Sequence, residues 1–329
     1  MGAMRSIHGS AADAASPRRA IAAAIVCLAL VAGCGAPTPT DRPSTQAATL
    51  DASPTPSPTA TPSPKAKATP TPAPTATPAP TTPPIVGATQ TACPGRTGTA
   101  HRGKVTAGQS RNWAGYVVGA TRGHVTCVEG SWTQPKVRCP ATSRTSVAIW
   151  VGIDGSSPVA SIPDSSATLA QTGTIADCIG GEAQYSAWYE FLPDLRQIEP
   201  FHLAVAAGDK IWAQVRWLGK GKFLATVINL TQRVGTTQTW SLRLAPLLTA
   251  EWVVEDPAAS CSGSSCTFVT LARFTTVTLN GAVTISGAHY NLAAIPFPYL
   301  RTDISRSGRT LATPSSLTSH GFTVTWKAS

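Results

Sequence analysis

The sequence contains no Gly-x-Ser-x-Gly elbow, no His-Glu-x-x-His pair and no Asp-Thr/Ser-Gly triplet. Three large hydrolase chemistries therefore lack their signature residues: the strand-to-helix serine nucleophile, the helix-borne zinc site and the pepsin-type aspartate pair. There is no Cys-x-x-Cys, and the five histidines beyond residue 91 (His101, His124, His202, His289, His320) are scattered, which gives zinc no ligand set. There is no phosphate-cradling glycine loop; Gly219–Lys–Gly–Lys222 reads as a hairpin turn. Lys and Arg form no dense cluster. From residue 92 onward 20 of them face 13 Asp and Glu, giving +7 of the chain's +10, and they sit singly between strand-like segments. That is general surface charge, and nucleic acid is not an expected partner.

What is present begins with an export signal. Arg18 and Arg19 precede an apolar run, Ala20–Ala32, that is shorter than the roughly 20 residues of a membrane-spanning helix. The run ends in Val31–Ala32–Gly33–Cys34, which looks like a lipobox with Cys34 as the lipidated first residue of the mature chain. Residues 1–34 are thus read as a lipoprotein signal peptide, and a lipid on Cys34 would hold the protein at a membrane surface without spanning it. Residues 35–91 read as a tether. The stretch Ala36–Pro84 carries 15 of the 28 prolines, in Thr-Pro, Ser-Pro and Ala-Pro repeats. It cannot bury a core and is expected to be extended, with a reach on the order of 150 Å. Its length suits a stalk across a cell wall, and its Thr and Ser suit glycosylation.

Residues 92–329 make one domain, long enough for a substantial core. Six cysteines remain there, an even number that fits an exported, disulfide-bearing domain. Cys261 and Cys266 flank a tight turn and are expected to pair. Cys127 with Cys139 would bridge a hairpin, and Cys93 with Cys178 follows by elimination.

Strand signals recur at short spacing and no long helical period competes. Candidates are Asn112–Gly119, His124–Thr133, Ser146–Ile153, Ala183–Phe191, Lys210–Leu218, Lys222–Asn229, Thr237–Leu244, Ala250–Glu255, Thr267–Thr278 and Phe322–Lys327. So many strands in one domain predict an all-β, two-sheet antiparallel sandwich or jelly roll with one concave, wet face. Side chains alternate along a strand. Trp150, Gly152 and Asp154 then share a side against Val151 and Ile153. Gln184, Ser186, Trp188 and Glu190 share a side against Tyr185, Ala187, Tyr189 and Phe191. Glu251 and Glu255 lie together, opposite Trp252 and Val254. Three strands that each combine Trp or Gly with an acid point to a cleft.

Several segments resemble the glutamic peptidases (eqolisins): Asn112–Trp–Ala–Gly115, Trp150–Val–Gly–Ile–Asp–Gly155, Gln171–Thr–Gly173, Ala187–Trp–Tyr–Glu190, Ala250–Glu–Trp–Val–Val–Glu255–Asp256, and Cys261–Cys266 before Phe268. They follow the family's order and cover about Asn112 to Phe274. The resemblance implies a lectin-like sandwich of two bent sheets and a metal-free, cofactor-free endopeptidase acting on peptide or protein substrates as a monomer. Its catalytic pair would be Gln171 and Glu255, with Glu251 on the same face as the alternative carboxylate, and with Trp113, Trp150, Asp154, Trp188 and Glu190 lining or supporting the cleft. Such a pair suits peptide hydrolysis: a carboxylate takes a proton from water and returns it to the amine, while a primary amide donates to the oxyanion and orients the water. Neighbouring Asp154, Glu190 and Glu251, with Trp walls, would raise the pKa of Glu255. Two departures stand out, Ala170 in place of leucine directly before Gln171 and Pro257 in place of phenylalanine. The basic charge of this domain also departs from acidic secreted relatives, so their acidic optimum does not carry over. Two other readings compete: a glycosidase using Glu190 and Glu255, and a non-catalytic wall-binding module on a stalk.

Overall fold

A computed structural model describes residues 86–120, 124–156, 168–262 and 265–327. The signal segment with Cys34, and the tether apart from residues 86–91, lie outside the described residues. The strands that build the fold are β1 (Val105–Ser110), β2 (Trp113–Gly119), β3 (Val125–Thr133), β4 (Thr145–Asp154), β5 (Leu169–Ile179), β6 (Glu182–Leu192), β7 (Leu195–Ala204), β8 (Lys210–Gly219), β9 (Lys222–Asn229), β10 (Val234–Ser241), β11 (Thr249–Glu255), β12 (Val277–Ile285), β13 (Ala288–Asn291), β14 (Tyr299–Arg306), β15 (Arg309–Pro314) and β16 (Phe322–Trp326).

The hydrogen-bond ladders run through two layers. The front layer is ordered β7-β6-β5-β4-β11-β2-β14, all antiparallel, with β1 added parallel to β14. The back layer is ordered β10-β9-β8-β3-β12, and β12 goes on to β13 and β16. β14, β15 and β16 join the layers along one edge. This is the expected all-β sandwich.

Alternation fills the space between the layers. Val147, Ile149, Val151 and Ile153 of β4 pack with Ile211, Ala213 and Val215 of β8 and with Val128 and Trp132 of β3. Trp252 of β11 is fully buried and its indole N–H donates to the Glu129 carbonyl of the back layer at 2.8 Å. Gly130 and Gly281, paired in register, leave the room for that ring; a methyl group on Gly281 would overlap the indole nitrogen. The turn from β8 to β9 holds Lys220 and Gly221 at positive φ (52° and 73°), the twist that favours a two-residue hairpin.

Two expectations need correction. The segment Thr267–Thr278 is not one strand: Ser265–Phe268, Thr270–Leu271 and Arg273–Phe274 each pair elsewhere, and β12 starts only at Val277. The predicted bridges Cys127–Cys139 and Cys93–Cys178 are replaced by Cys93–Cys127 and Cys139–Cys178. The reason is facing. Cys127 shares its face of β3 with Glu129, whereas Cys178 belongs to the core between the layers with Cys139 packed against it. A Cys127–Cys139 bond would have to pass through the back sheet. Cys266 is disulfide-bonded and lies opposite Cys261 in the Ala258–Ser262/Ser265–Phe268 hairpin.

Candidate active site

The front layer's register assembles the site in rows, because residues opposite one another in antiparallel strands share a face. One row reads Glu190–Gln171–Gly152–Glu251 across β6, β5, β4 and β11. The next reads Trp188–Gly173–Trp150–Val253, and the third Ser186–Ile175–Ala148–Glu255–Trp113. All lie on the face turned away from the main core. Gln171 and Glu255 therefore rise from the same face, separated by the row of Gly173 and Trp150. Gly173 is required there, since a side chain at that position would overlap the backbone of Ile149 and Trp150. Trp113, Trp150 and Trp188 form their own apolar cluster with Ala148, Leu169, Ile175, Leu192 and Val253.

The Glu255 carboxyl is buried and held by two donors. Asn112 Nδ2 reaches Oε1 and Trp150 Nε1 reaches Oε2, both at 2.7 Å. Burial pushes its pKa up to about 7. The N–H groups of Trp150, Trp113 and Asn112 counter that rise, and the charge of Asp256 adds to it. Trp113 meets Trp150 edge-on with ring centres 4.9 Å apart.

Gln171 Nε2 donates to Glu190 Oε2 at 2.5 Å, while its Oε1 is buried with no partner among the described residues. Burial raises Glu190 to about 8; the Gln171 hydrogen bond works against this and the charge of Glu255 works with it. The two carboxyls are thus electrostatically linked, with Gln171 clamped to one of them.

Asp154 and Glu251 occupy the same face but have other connections. Asp154, at φ 73°, accepts from the Leu247 and Leu248 backbone N–H groups at 3.1 and 2.7 Å and from the Thr168 hydroxyl at 3.2 Å. Burial lifts it to about 6. The Leu247 and Leu248 groups belong to the turn before β11, so Asp154 fixes that turn. Glu251 is wholly buried, and burial raises its pKa well above the ordinary value; the Thr249 side chain works against the rise and the charge of Asp154 adds to it. The acid that bears on Glu255 most among its perturbing charges is Asp256, not Asp154 or Glu251. Asp256 is itself raised by burial to about 7 and pairs with Arg306.

Asn112 and Arg306 are absent from the sequence-based site. Asn112 stands in the Asn112–Trp–Ala–Gly115 motif, but its bond to Glu255 depends on the pairing of β2 with β11, which also joins the Asp256 N–H to the Asn112 carbonyl at 2.8 Å. Nothing in the sequence marks Arg306. Among the described residues no group of three or more His, Cys, Asp or Glu could hold a metal ion.

Comparison with known proteins agrees with this architecture. The model of the peptidase A4 family matches residues 111–326. Aspergillopepsin-2 of Aspergillus niger is 30% identical over 241 residues, 66% of this chain and 78% of that protein. Scytalido-glutamic peptidase, solved with a transition-state analogue inhibitor, superposes with a TM-score of 0.54 at 24% identity, covering 66% of this chain and 99% of that one. SCP-B of the eqolisin family, solved with the tripeptide Ala-Ile-His, gives 0.53 at 22% identity over the same shares. The chain belongs to the peptidase A4 family, the glutamic endopeptidases.

Proposed function

We propose that Glu255 and Gln171 carry peptide hydrolysis in this protein. The ionised Glu255 takes a proton from a water held between it and the Gln171 amide oxygen. The water oxygen attacks the scissile carbonyl carbon, and a Gln171 N–H not engaged by Glu190 donates to the oxyanion. Glu255 then returns the proton to the amide nitrogen, the C–N bond breaks, and a carboxylic acid and an amine leave. Glu190 keeps the Gln171 amide turned the right way. Trp113 and Trp188 act as walls for the peptide, and Trp150 and Asn112 hold Glu255.

The observation that carries this reading is the buried Gln171 Oε1, unpaired among the described residues, on the face from which the Glu255 carboxyl rises. Glu190 is committed to Gln171, which leaves a sugar-cleaving Glu190/Glu255 pair without support. The test is digestion of a denatured protein with identification of the new N-termini. Gln171→Ala should lower turnover by about 10²–10³, the usual loss when one oxyanion donor is removed. Undiminished turnover would overturn the assignment of Gln171.

The same proposal includes export and tethering through Cys34. The lipobox, the tether and disulfides in the domain support it. Cys34→Ser should move the protein from the membrane fraction to the soluble one; an unchanged membrane fraction would count against the anchor.

A further inference from the structure

A second cavity lies on the other side of the sandwich, on the outer face of the back layer. It is about 400 Å³, within the roughly 300–1,000 Å³ that small-ligand sites occupy. Trp212, 5% exposed, closes its floor, and Glu129, Asn280, His289, Asn291 and His320 stand around it. Register explains the grouping. Trp212, Ser131 and Asn280 form one row across β8, β3 and β12, and Gln214, Glu129 and Ala282 form the next.

The polar groups there are held in place with capacity left over. Glu129 Oε2 accepts from the Cys93 N–H at 2.7 Å and from Gln214 Nε2 at 3.1 Å; its Oε1 makes no hydrogen bond among the described residues. Asn280 Oδ1 accepts from the Ser131 hydroxyl at 2.5 Å, and the Asn280 amide N–H groups have no acceptor among the described residues. His289 Nδ1 is buried and unpaired among the described residues. A fixed acceptor and fixed donors thus flank one indole.

The segment before β1 supplies a further wall. It bridges Val86 to Val234 at one edge and pairs Arg96–Thr97 with Ala288–His289 at the other. Between them the Cys93–Cys127 disulfide and the Gln214 Nε2 bond to the Thr91 carbonyl (2.8 Å) pin it to the sheet, which brings Gln90 to the cavity.

The chemistry selects a ligand class. The cavity has no Lys or Arg in its lining, although the domain carries 20 of them, so it offers a phosphate or sulfate no Lys or Arg cation, and it sets the Glu129 carboxyl beside it. An apolar ligand would strand the Glu129 and Asn280 groups without partners, which is unfavourable. A sugar ring has an apolar face for the indole and adjacent hydroxyls, each able both to donate and to accept. We infer that this cavity is a binding site for a neutral mono- or disaccharide, separate from the peptidase site. It would hold the enzyme on a glycan while the opposite face cleaves peptide.

The test is calorimetric titration of the full chain with cellobiose, N,N′-diacetylchitobiose and maltose, each to about 10 mM, since single-sugar contacts give affinities on the millimolar scale. At least one should bind, and Asn280→Ala and Glu129→Gln should each weaken it about tenfold or more while peptidase turnover stays as in the parent. Trp212→Ala should abolish binding, but that ring also packs, so the exposed Asn280 is the deciding position. No binding of any of the three sugars overturns the proposal. So does binding that Asn280→Ala and Glu129→Gln leave unchanged.

Discussion

Trp150 and Glu255, 105 residues apart in sequence, meet through a 2.7 Å hydrogen bond from the indole N–H to Oε2. The bond exists because β4 lies beside β11, with Trp150 opposite Val253 and Ala148 opposite Glu255. A neutral donor thus stabilises the charged form of a carboxyl that burial pushes the other way. Trp150→Phe keeps the ring and removes the donor. A hydrogen bond to a charged group is worth about 1.5–3 kcal/mol, so the pKa of Glu255 should rise by about one unit or more. The acid limb of the kcat/KM profile should move to higher pH by that amount. An unmoved limb would show that Glu255 does not set it.

The wild-type profile has a direction of its own. A general base works ionised, and burial holds Glu255 near 7, with Glu190 linked to it near 8. The two titrate as a pair. Turnover should rise through about pH 7 and be weak at pH 3, unlike an acid-optimum enzyme. Maximal turnover below pH 4 on a protein substrate would contradict this.

Stability should run opposite to activity. Asp154, Glu190, Glu251, Glu255 and Asp256 all have raised folded-state pKa values. In the unfolded chain they ionise near 4. Below that pH both states hold the protons and no penalty applies; as pH climbs toward 8 the unfolded state releases protons that the fold must keep. The Tm should fall between pH 4.5 and 8.5 by at least about 5 °C, given roughly 2–4 °C per kcal/mol for a domain of this size. A Tm that rises over that window would contradict the burial of these acids.

Arg306 tests one of them separately. It pairs with Asp256 and lies 5.0 Å from the centre of the Phe268 ring, with Arg111 at 5.1 Å from the same centre. Arg306→Met leaves Asp256 without its cation. The cost should be about 1–3 kcal/mol at pH 8, below the value for a fully buried pair because Arg306 is partly exposed. It should shrink at pH 5, where Asp256 takes a proton. Urea unfolding at both pH values checks this, and an equal cost at both would speak against it.

Alternation along single strands made much of the site legible in the sequence. Glu251 with Glu255, Trp188 with Glu190, and Trp150 opposite Val151 all fall as the two-residue period requires. What the sequence withholds is which strands become neighbours. Asn112 sits inside the Asn112–Trp–Ala–Gly115 motif, yet its bond to Glu255 appears only once β2 lies against β11. Arg306 comes from β14, at the far end of the chain. The disulfides fail for the same reason: Cys127 and Cys139 are close in sequence but face opposite sides of the back sheet. A non-reducing digest should yield linked peptides for Cys93–Cys127 and Cys139–Cys178, and losing either bridge should cost about 2–5 kcal/mol.

The most direct measurement compares kcat for Glu255→Gln with that for Glu190→Gln on one protein substrate across pH 3–9. If Glu255 moves the protons and Glu190 only holds the Gln171 amide, Glu255→Gln should lose about 10³-fold or more at every pH, since general acid–base catalysis contributes roughly 10²–10⁴. Glu190→Gln should keep a measurable rate with a shifted profile. The reverse order, with Glu255→Gln still active and Glu190→Gln inert, would contradict the account.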